Sequence, residues 1–307
     1  MNQWVSSIIS KLSYESLIMM PRLHPETNEN QHKRFAQHIG SPRRGALAAG
    51  GNMKIAISGK GGVGKSTLAG ALALLMARQG QRVLAVDADP DANLAAALGV
   101  PEQKQKEIIP ISQQVALIEE RTGAKVKQYG QIFKLNPEVS DIANNYATEH
   151  EGVALLVLGA VEQGGSGCAC PENVLIRALV TDLILYKNEA LVMDMEAGVE
   201  HLGRATVKGV DRMIVVIEPG QRSIDSAYRI IRMSNEIGLK NIQFVANKID
   251  GPNDEKFIRE AFPDHGLLGI IPYSEEIRRN DRNGLSVLDG LSKEMLTRFE
   301  TILKELK

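Results

Sequence analysis

The sequence predicts a doubly wound α/β domain with a mostly parallel sheet, and three observations support that prediction. After residue 53, short apolar runs alternate with amphipathic stretches, which is the pattern of strands buried on both faces and helices packed against them. Acidic or glycine-rich segments follow several of the runs, where open α/β sheets bind ligands. A complete phosphate-binding loop follows the first run. We therefore expect a single P-loop domain over residues 53–307.

The apolar runs predict seven strands, at 54–58, 82–87, 153–159, 190–194, 213–217, 242–247 and 267–271. Helical stretches are predicted at 68–78, 223–237 and 291–307. In the second of these, the periodicity directs five side chains inward, namely Ile224, Ala227, Tyr228, Ile231 and Ile237. Residues 100–150 form an excursion between core strands, predicted to be helical over 113–121 and loop-like over 136–149.

Residues 1–52 differ from the rest of the chain. The segment 21–51 is polar and interrupted by Pro, Gly and Asn, so we predict a disordered extension. An upstream mis-assigned start is an equally compatible explanation, since Met53 directly precedes the first strand. Residues 1–20 lack the basic start of a secretory signal, and no apolar run reaches the roughly 18 residues of a membrane span. We expect a cytoplasmic protein.

The composition argues against two classes of partner. A formal net charge of −1 gives no global attraction to nucleic acid or to an anionic membrane. Aromatic residues make up only 4% of the chain, which weakens any case for base-stacking platforms. We expect neither a nucleic-acid partner nor stable membrane association.

The phosphate-binding loop has the complete pattern G-x-x-x-x-G-K-[ST] from Gly59 to Ser66. Its glycines let successive backbone N–H groups face a polyphosphate, Lys65 reaches the β- and γ-phosphates, and the Ser66 hydroxyl can ligate Mg²⁺. Lys60 is a second cation that the pattern does not require. We predict nucleotide contacts for Gly59, Gly61, Gly62, Val63, Gly64, Lys65, Ser66 and Thr67.

Acidic residues end two of the predicted strands. The run 83–87 leads into a cluster containing Asp89, whose carboxylate could orient a water or hold Mg²⁺ through its shell. A helix cap near Asn93 is the alternative for any single one of these aspartates. Asp194 and Gly198 have the spacing of a carboxylate near Mg²⁺ followed by a glycine N–H that senses the γ-phosphate.

Asn247 follows the strand at 242–247 and is placed to bracket a base. The string Asn-Lys-Ile-Asp at 247–250 resembles the guanine-reading motif of GTPases, so these four residues alone leave GTP open. A turn-forming asparagine at a strand end is a further alternative.

With these elements in place, residues 53–307 resemble the deviant Walker A ATPases, the dimeric relatives of nitrogenase iron protein, the septum-site protein MinD and the arsenite-pump ATPase. The resemblance implies a homodimer in which Lys60 crosses the interface to the partner's nucleotide, as an arginine finger does, with a contribution on the order of 10³–10⁵ in rate. It also implies catalysis by Lys60, Lys65 and Asp89, with Asp89 polarising the water. Asp194 becomes the second switch aspartate, and Asn247 reads adenine, which selects ATP.

Cys168 and Cys170 are the two cysteines of the chain and are separated by one residue. Two thiolates do not close a tetrahedral site, but a two-fold dimer would bring two pairs together as a Cys₄ site. Thiolates favour Zn²⁺, Cu(I) and related ions, so we expect such an ion there, with thiol pKa values lowered by the following helix. Glu196 and His201 are possible further ligands or a surface ion pair, and inert thiols are the alternative to the metal site as a whole.

The cysteine pair, read with the segment 194–201, resembles the CooC-type nickel-insertion ATPases within that family. The resemblance implies Ni²⁺ or Zn²⁺ at the shared cysteine site, and maturation of carbon monoxide dehydrogenase or of the related acetyl-CoA synthase. Two other functions remain open, a MinD- or ParA-type positioning ATPase on membrane or DNA and a reductase like nitrogenase iron protein. The first would need a free amphipathic C-terminal helix to act on lipid, or basic patches to act on DNA. We expect the helix at 291–307 to pack against the sheet instead, through Leu291, Met295, Phe299, Ile302, Leu303 and Leu306.

Overall fold

Strands and helices alternate along the chain in the computed structural model, which describes residues 53–126, 128, 130–160, 170–187, 189–199, 202, 206–263 and 265–307. The strands of these ranges are β1 (Lys54–Gly59), β2 (Val83–Ala88), β3 (Thr148–His150), β4 (Val153–Val157), β5 (Ala190–Met195), β6 (Arg212–Ile217), β7 (Ile242–Ile249) and β8 (Leu267–Pro272). The helices are α1 (Lys65–Arg78), α2 (Leu94–Ala97), α3 (Glu102–Glu107), α4 (Val115–Thr122), α5 (Ile142–Tyr146), α6 (Pro171–Leu185), α7 (Gln221–Ile237), α8 (Pro252–Ala261), α9 (Glu275–Arg282) and α10 (Lys293–Leu306). Single 3₁₀ turns lie at Ile111–Gln113 and Val207–Gly209.

The strands form one sheet in the order β3-β4-β2-β5-β1-β6-β7-β8. Every neighbouring pair is parallel except β3 and β4. The predicted doubly wound, mostly parallel sheet is therefore confirmed, and all seven predicted strands are present. The strand that sequence reasoning missed is β3, because its three residues, Thr, Glu and His, contain no apolar run and pair only at the sheet edge.

Each face of the sheet carries its own apolar core. Side chains of α6 and α7 pack on one face, and those of α1 and α10 pack on the other. The strands between them are buried almost throughout, since both of their faces are covered. This layering leaves the carboxyl ends of β1, β2, β5 and β7 at one edge of the domain, where the loops that follow them can meet.

Helix α7 corrects one predicted inward residue. Its buried face includes Ile224, Ala227 and Ile230, whereas Tyr228 is 50% exposed. The apolar stripe is rotated toward Ile230 relative to the predicted one, so Tyr228 lies at its margin. There its hydroxyl donates to the carbonyl of Ala261 at 2.5 Å. A tyrosine at the edge of a buried face can cover apolar surface while its hydroxyl remains hydrogen-bonded.

The excursion between β2 and β4 is more regular than predicted. The expected helix over 113–121 is α4, displaced by one or two residues. The segment 136–149, predicted to be loop-like, contains the short helix α5 and part of β3. Both elements are too short to produce a periodic sequence signal. Ile142 and Ala143 hold α5 against the core, and β3 is held by its pairing with β4.

The C-terminal helix α10 packs on the domain as predicted. Phe299, Ile302 and Leu303 are buried on α10, which contacts β8 and α1. Gly269 of β8 permits this close approach, because a Cβ there would lie 2.4 Å from a side-chain carbon of Ile302. In the described part of the chain, no helix is long and apolar enough to cross a membrane. The predicted extension at 1–52 lies outside the described residues.

Candidate functional site

The phosphate-binding loop joins β1, near the middle of the sheet, to the N-terminus of α1. Gly64 has φ 97° and directly precedes the helix, a conformation that favours glycine. A Cβ on Gly64 would also lie 2.2 Å from the Asn247 amide nitrogen. At the start of the loop, a Cβ on Gly59 would lie 2.5 Å from the Val216 carbonyl oxygen. Glycine at these two positions is therefore required by neighbouring strands as well as by the loop itself.

A cavity of about 520 Å³ opens beside the loop. Eight of the residues predicted for the site line this cavity: Gly61, Gly62, Gly64, Lys65, Ser66, Thr67, Asp89 and Asn247. Other predicted residues lie beneath or beside it. Val63 and Asp194 are fully buried, and Gly59 ends β1. The loop thus presents its glycines, Lys65 and the two hydroxyl groups to the cavity.

Lys65 forms an ion pair inside the site. Its ammonium lies 3.1 Å from an Asp89 carboxylate oxygen, and the two side chains are only 6% and 9% exposed. The N–H of Asp91 donates to the other Asp89 oxygen at 3.1 Å, which orients the carboxylate toward the cavity. The structure therefore brings the predicted phosphate lysine and the predicted water-orienting carboxylate into direct contact.

Two further carboxyl groups lie side by side under the loop. Asp87 of β2 and Asp194 of β5 are register partners in the parallel sheet, and both are fully buried. Asp87 accepts hydrogen bonds from the backbone N–H of Asp89 at 3.2 Å and of Leu94 at 2.9 Å. Burial nevertheless raises the pKa of Asp87 to about 6. Sequence reasoning named Asp87 only as the end of a strand; its burial beside Asp194 depends on the register of two strands distant in sequence.

Asp194 has the more perturbed carboxyl group of the two. Burial raises its pKa to about 7, and the neighbouring charge of Asp87 adds to the shift. The Ser66 hydroxyl lies beside Asp194 and opposes part of this shift, yet neither Asp194 oxygen completes a hydrogen bond among the described residues. A buried carboxylate with two free oxygens next to a hydroxyl fits Mg²⁺ or its water ligands, since Mg²⁺ prefers oxygen donors and retains several waters. The residues present therefore fit the predicted magnesium ion.

Gly198 is held away from the cavity by Ser58. The Gly198 N–H donates to the Ser58 hydroxyl oxygen at 3.2 Å and to the Glu196 carbonyl at 2.7 Å. The Ser58 hydroxyl in turn donates to the Glu196 carbonyl at 2.6 Å. Sensing of a γ-phosphate by this N–H would require the segment 196–198 to move. Ser58 is a site residue that the sequence analysis did not single out; only its place at the end of β1 could have suggested it.

The end of β7 contacts the loop through two consecutive side chains. The Asn247 amide nitrogen donates to the Val63 carbonyl at 2.7 Å, and the Lys248 ammonium donates to the Gly62 carbonyl at 2.6 Å. Asn247 is buried and also lines the cavity, so it is positioned beside the place predicted for a base. Its donor group is engaged with the loop in the structure, which gives this residue a structural contribution in addition to any contact with a nucleotide.

The far side of the cavity is formed by the end of β8, the first turn of α9 and the two residues between them. Pro272, Tyr273, Ser274 and Arg278 line it. The Arg278 guanidinium lies 5.8 Å from the centroid of the Tyr273 ring, a cation–π distance. Sequence reasoning missed these residues, because an aromatic side chain after a strand carries no signal of its own.

The predicted metal site lies only partly within the described residues. Cys168 falls in the segment 161–169, outside them, whereas Cys170 directly precedes α6 as expected. The predicted lowering of the thiol pKa is wrong for Cys170: burial raises it, and Glu172 adds to the increase against an opposing hydrogen bond from the Asn173 N–H. Within the described ranges, no cluster of three or more His, Cys, Asp or Glu residues is arranged to hold a metal. His201 also lies outside these ranges.

Comparisons with known proteins agree with this geometry. Residues 54–287 match the CobQ/CobB/MinD/ParA nucleotide binding domain. The chain is 46% identical over 237 residues to the carbon monoxide dehydrogenase accessory protein CooC of Rhodospirillum rubrum, covering 77% of this chain and 90% of that protein. It is 43% identical over 257 residues to an uncharacterised ATP-binding protein of Methanocaldococcus jannaschii, covering 82% of this chain and 98% of that protein.

Solved structures share the fold at much lower identity. The MinD cell division protein of Aquifex aeolicus superposes with a TM-score of 0.59 at 20% identity, covering 83% of this chain and 96% of that one. MinD of Pyrococcus horikoshii, solved with Mg-ADP, has a TM-score of 0.55 at 20% identity, with 83% and 96% covered. The resemblance to CooC-type proteins inferred from the sequence is confirmed, and the chain belongs to the CobQ/CobB/MinD/ParA nucleotide-binding domain family of P-loop proteins.

Proposed function

We propose that this protein is a nucleotide-gated homodimeric ATPase that supports nickel insertion into carbon monoxide dehydrogenase or the related acetyl-CoA synthase. The observation that carries the proposal is the 46% identity to the CooC accessory protein across nearly the whole of that protein. A phosphate loop with the additional Lys60 and a cysteine pair separated by one residue are the features of this chain that agree with it. Nickel is the cargo of the reaction.

Nucleotide binding and hydrolysis by the described residues would proceed in steps. The phosphates of ATP would compete with Asp89 for the Lys65 ammonium, which lies 3.1 Å from that carboxylate. Asp89, released from Lys65, would then orient the attacking water. Ser66 and Asp194 would hold Mg²⁺ directly or through its waters, and the ion would neutralise charge on the β- and γ-phosphates. Fixed charges that act on the transferred phosphoryl group provide most of the catalysis in reactions of this class.

In the proposed dimer, Lys60 of one protomer completes the catalytic group of the other protomer. It does not line its own protomer's cavity; its ammonium lies 3.1 Å from Glu218 at the rim. A cation supplied across an interface couples hydrolysis to dimer formation, because the site is incomplete without the partner. Lys60→Ala should therefore bind ATP with near wild-type affinity but lose hydrolysis and ATP-driven dimerisation. Equilibrium titration and analytical ultracentrifugation measure the two properties separately, and unchanged turnover would exclude the trans lysine.

The nucleotide in this proposal is ATP. The cavity is bounded on the base side by Asn247, Tyr273 and Arg278, which provide an amide and a flat aromatic surface. Isothermal titration of ATP and GTP against the same protein tests the assignment. We expect ATP to bind at least about tenfold more tightly, a difference of about 1.4 kcal/mol. Equal or tighter binding of GTP would restore the guanine-reading interpretation of residues 247–250.

The metal content of the protein and of its cysteine variants tests the proposed maturation function. Metal analysis of the purified protein, with and without ATP, should give one Ni²⁺ or Zn²⁺ per dimer. Cys168→Ser and Cys170→Ser should each lose the metal while retaining nucleotide binding, because the phosphate loop is a separate element. Lys65→Ala is the complementary control, with weakened nucleotide binding. Metal retained in both cysteine variants would contradict the shared Cys₄ site.

The two alternative functions have distinct signatures. A bound iron–sulfur chromophore would support a reductase like nitrogenase iron protein, and absorption spectra of anaerobically purified protein would show it. Metal-free dimers that bind liposomes or DNA would support a positioning ATPase. The buried apolar face of α10 disfavours the lipid-binding form of that function, because the side chains needed for the membrane are already packed against the domain.

A further inference from the structure

Glu218, a carboxylate that the sequence analysis did not select, contacts two lysines at once. One of its oxygens lies 3.1 Å from the Lys60 ammonium, and the other lies 3.3 Å from the Lys248 ammonium. Glu218 is 24% exposed and the lysines are 37% and 43% exposed, so the cluster lies at the rim of the nucleotide site. Lys248 also donates to the Gly62 carbonyl, which connects the cluster to the phosphate loop.

The backbone around Glu218 holds the carboxylate in place. Glu218 directly follows β6, its N–H donates to the Ser223 hydroxyl at 3.1 Å, and its carbonyl accepts from the Gly220 N–H at 2.8 Å. Ser223 is itself buried on α7. Glu218 is therefore anchored to the sheet and to α7, whereas Lys60 belongs to the phosphate loop. A change in the loop or in the oligomer can separate the two side chains without moving the carboxylate.

We propose that Glu218 holds Lys60 against its own protomer until ATP-driven pairing of two protomers draws the lysine across the interface, and that Lys248 then remains as the counter-ion of Glu218. The inference rests on the proposed trans function of Lys60. Glu218 and Lys248 are positioning residues that act through Lys60. Their effect is to set the protein concentration at which the ATP-bound dimer forms.

The arrangement of charges makes the release of Lys60 reversible. Ion pairs between side chains this exposed contribute little to stability, so Lys60 can leave Glu218 without a large loss of free energy. Removal of the single partner of a half-buried carboxylate would leave an uncompensated charge, which is costly. Lys248 prevents this, since it contacts the second oxygen of Glu218 and donates to the Gly62 carbonyl as well.

The first experiment measures the ion pair in the full-length protein without nucleotide. Trace labelling with an amine-reactive reagent, followed by peptide mass spectrometry, compares Lys60 in the wild type and in Glu218→Gln. In the wild type the Lys60 ammonium is held 3.1 Å from a Glu218 oxygen, so the reagent reaches it less freely than it would reach an unpaired side chain. We expect Lys60 to be labelled several-fold faster in Glu218→Gln. Glu189→Gln is the matched control, because Glu189 pairs with Arg82 at 2.7 Å near the amino ends of the strands and should leave Lys60 unaffected.

The second experiment measures self-association with a non-hydrolysable ATP analogue over a range of protein concentrations. Glu218→Gln should dimerise at several-fold lower concentration than the wild type, since Lys60 is already free. Lys248→Met should shift dimerisation to higher concentration, because Glu218 would lose its remaining counter-ion when Lys60 departs. Damage to the fold would not produce opposite shifts in the two variants, and Lys248→Met still tests the idea if Glu218→Gln is unstable.

Unchanged labelling of Lys60 in Glu218→Gln would overturn the ion pair, and faster labelling without a shift in dimerisation would overturn the role of Glu218. Failure of the proposed trans function of Lys60 would give a different result, seen in Lys60→Ala. If Lys60 does not act in trans, Lys60→Ala will hydrolyse ATP and dimerise normally in protein that retains Glu218. If only the inference about Glu218 is wrong, the defect of Lys60→Ala will persist.

Discussion

The Lys65 ammonium and an Asp89 carboxylate oxygen lie 3.1 Å apart, and both side chains are nearly excluded from solvent. Two opposite charges buried together compensate each other's desolvation, so each is strongly affected by loss of the other. A bound triphosphate would be a third charged group in the same place. The pair therefore links the lysine that we predict to bind phosphate to the carboxylate that we assign to the attacking water.

Asp89→Asn should separate binding from hydrolysis. Lys65 would lose the anion that competes with phosphate, so ATP affinity should be equal to or higher than that of the wild type. Turnover should fall by about 10²–10⁴, the usual contribution of a positioned general base. Titration calorimetry and steady-state phosphate release measure the two quantities. Asp91→Asn is the control, since Asp91 contacts Asp89 through its backbone N–H, and its turnover should stay within a few-fold of wild type.

Gly64→Ala should destabilise the protein before any nucleotide is considered. A non-glycine residue at φ 97° costs about 1–3 kcal/mol, and the new Cβ would displace the Asn247 amide 2.2 Å away. Gly61→Ala is the matched control in the same loop, because nothing lies within 4 Å of its Cβ position. Urea unfolding without nucleotide should show a loss of at least about 1 kcal/mol for the first variant and within about 0.5 kcal/mol for the second. Equal losses would contradict the contact with Asn247.

Asp194 should make the stability of the protein without nucleotide decrease as pH rises. Its pKa is raised from 3.8 to about 7 by burial, so the folded state binds more protons than the unfolded state between about pH 4 and 7. The free energy of unfolding therefore decreases through that window, and the carboxylate is destabilising above it. Asp194→Asn should flatten this dependence and should unfold at higher urea concentration than the wild type at pH 8.

The measurement for Asp194 is urea unfolding at half-unit pH steps in magnesium-free buffer. Asp225→Asn, a change at an exposed aspartate of α7, should leave the curve of the wild type unchanged. Asp87 will contribute in the same direction, because burial raises its pKa to about 6, so some pH dependence should remain in Asp194→Asn. If the free energy of unfolding rises between pH 4 and 7, and rises equally in the wild type and in Asp194→Asn, the raised pKa of Asp194 is contradicted.

Phe299→Ala should test whether α10 belongs to the core. Phe299 is fully buried between the helix and the sheet, and truncation of such a side chain costs about 3–5 kcal/mol. Phe257→Ala on α8 is the matched control, since Phe257 is 39% exposed and should cost less than half as much. Urea unfolding measures both. Wild-type stability in Phe299→Ala, together with liposome binding by the wild type, would favour a free membrane-binding helix.

Local features of this protein could be predicted because their signal lies within a few adjacent residues. The loop from Gly59 to Ser66 has a spacing that dictates its own backbone, and the strand before it has an apolar run long enough to recognise. The short elements β3 and α5 were missed for the opposite reason, since three to five residues carry no detectable period. The rotation of the buried face of α7 toward Ile230 was also missed, because it depends on which side chains the sheet presents to the helix.

Patterns in the amino-acid sequence are enough to predict the fold class, the phosphate loop, the additional lysine and the cysteine pair. Which charged side chains meet depends instead on the tertiary structure. Asp87 and Asp194 become neighbours through the register of β2 and β5, and Glu218 reaches Lys60 across 158 residues of sequence. Such contacts follow from the order of strands in the sheet and the burial that it imposes, and no short-range pattern encodes either one.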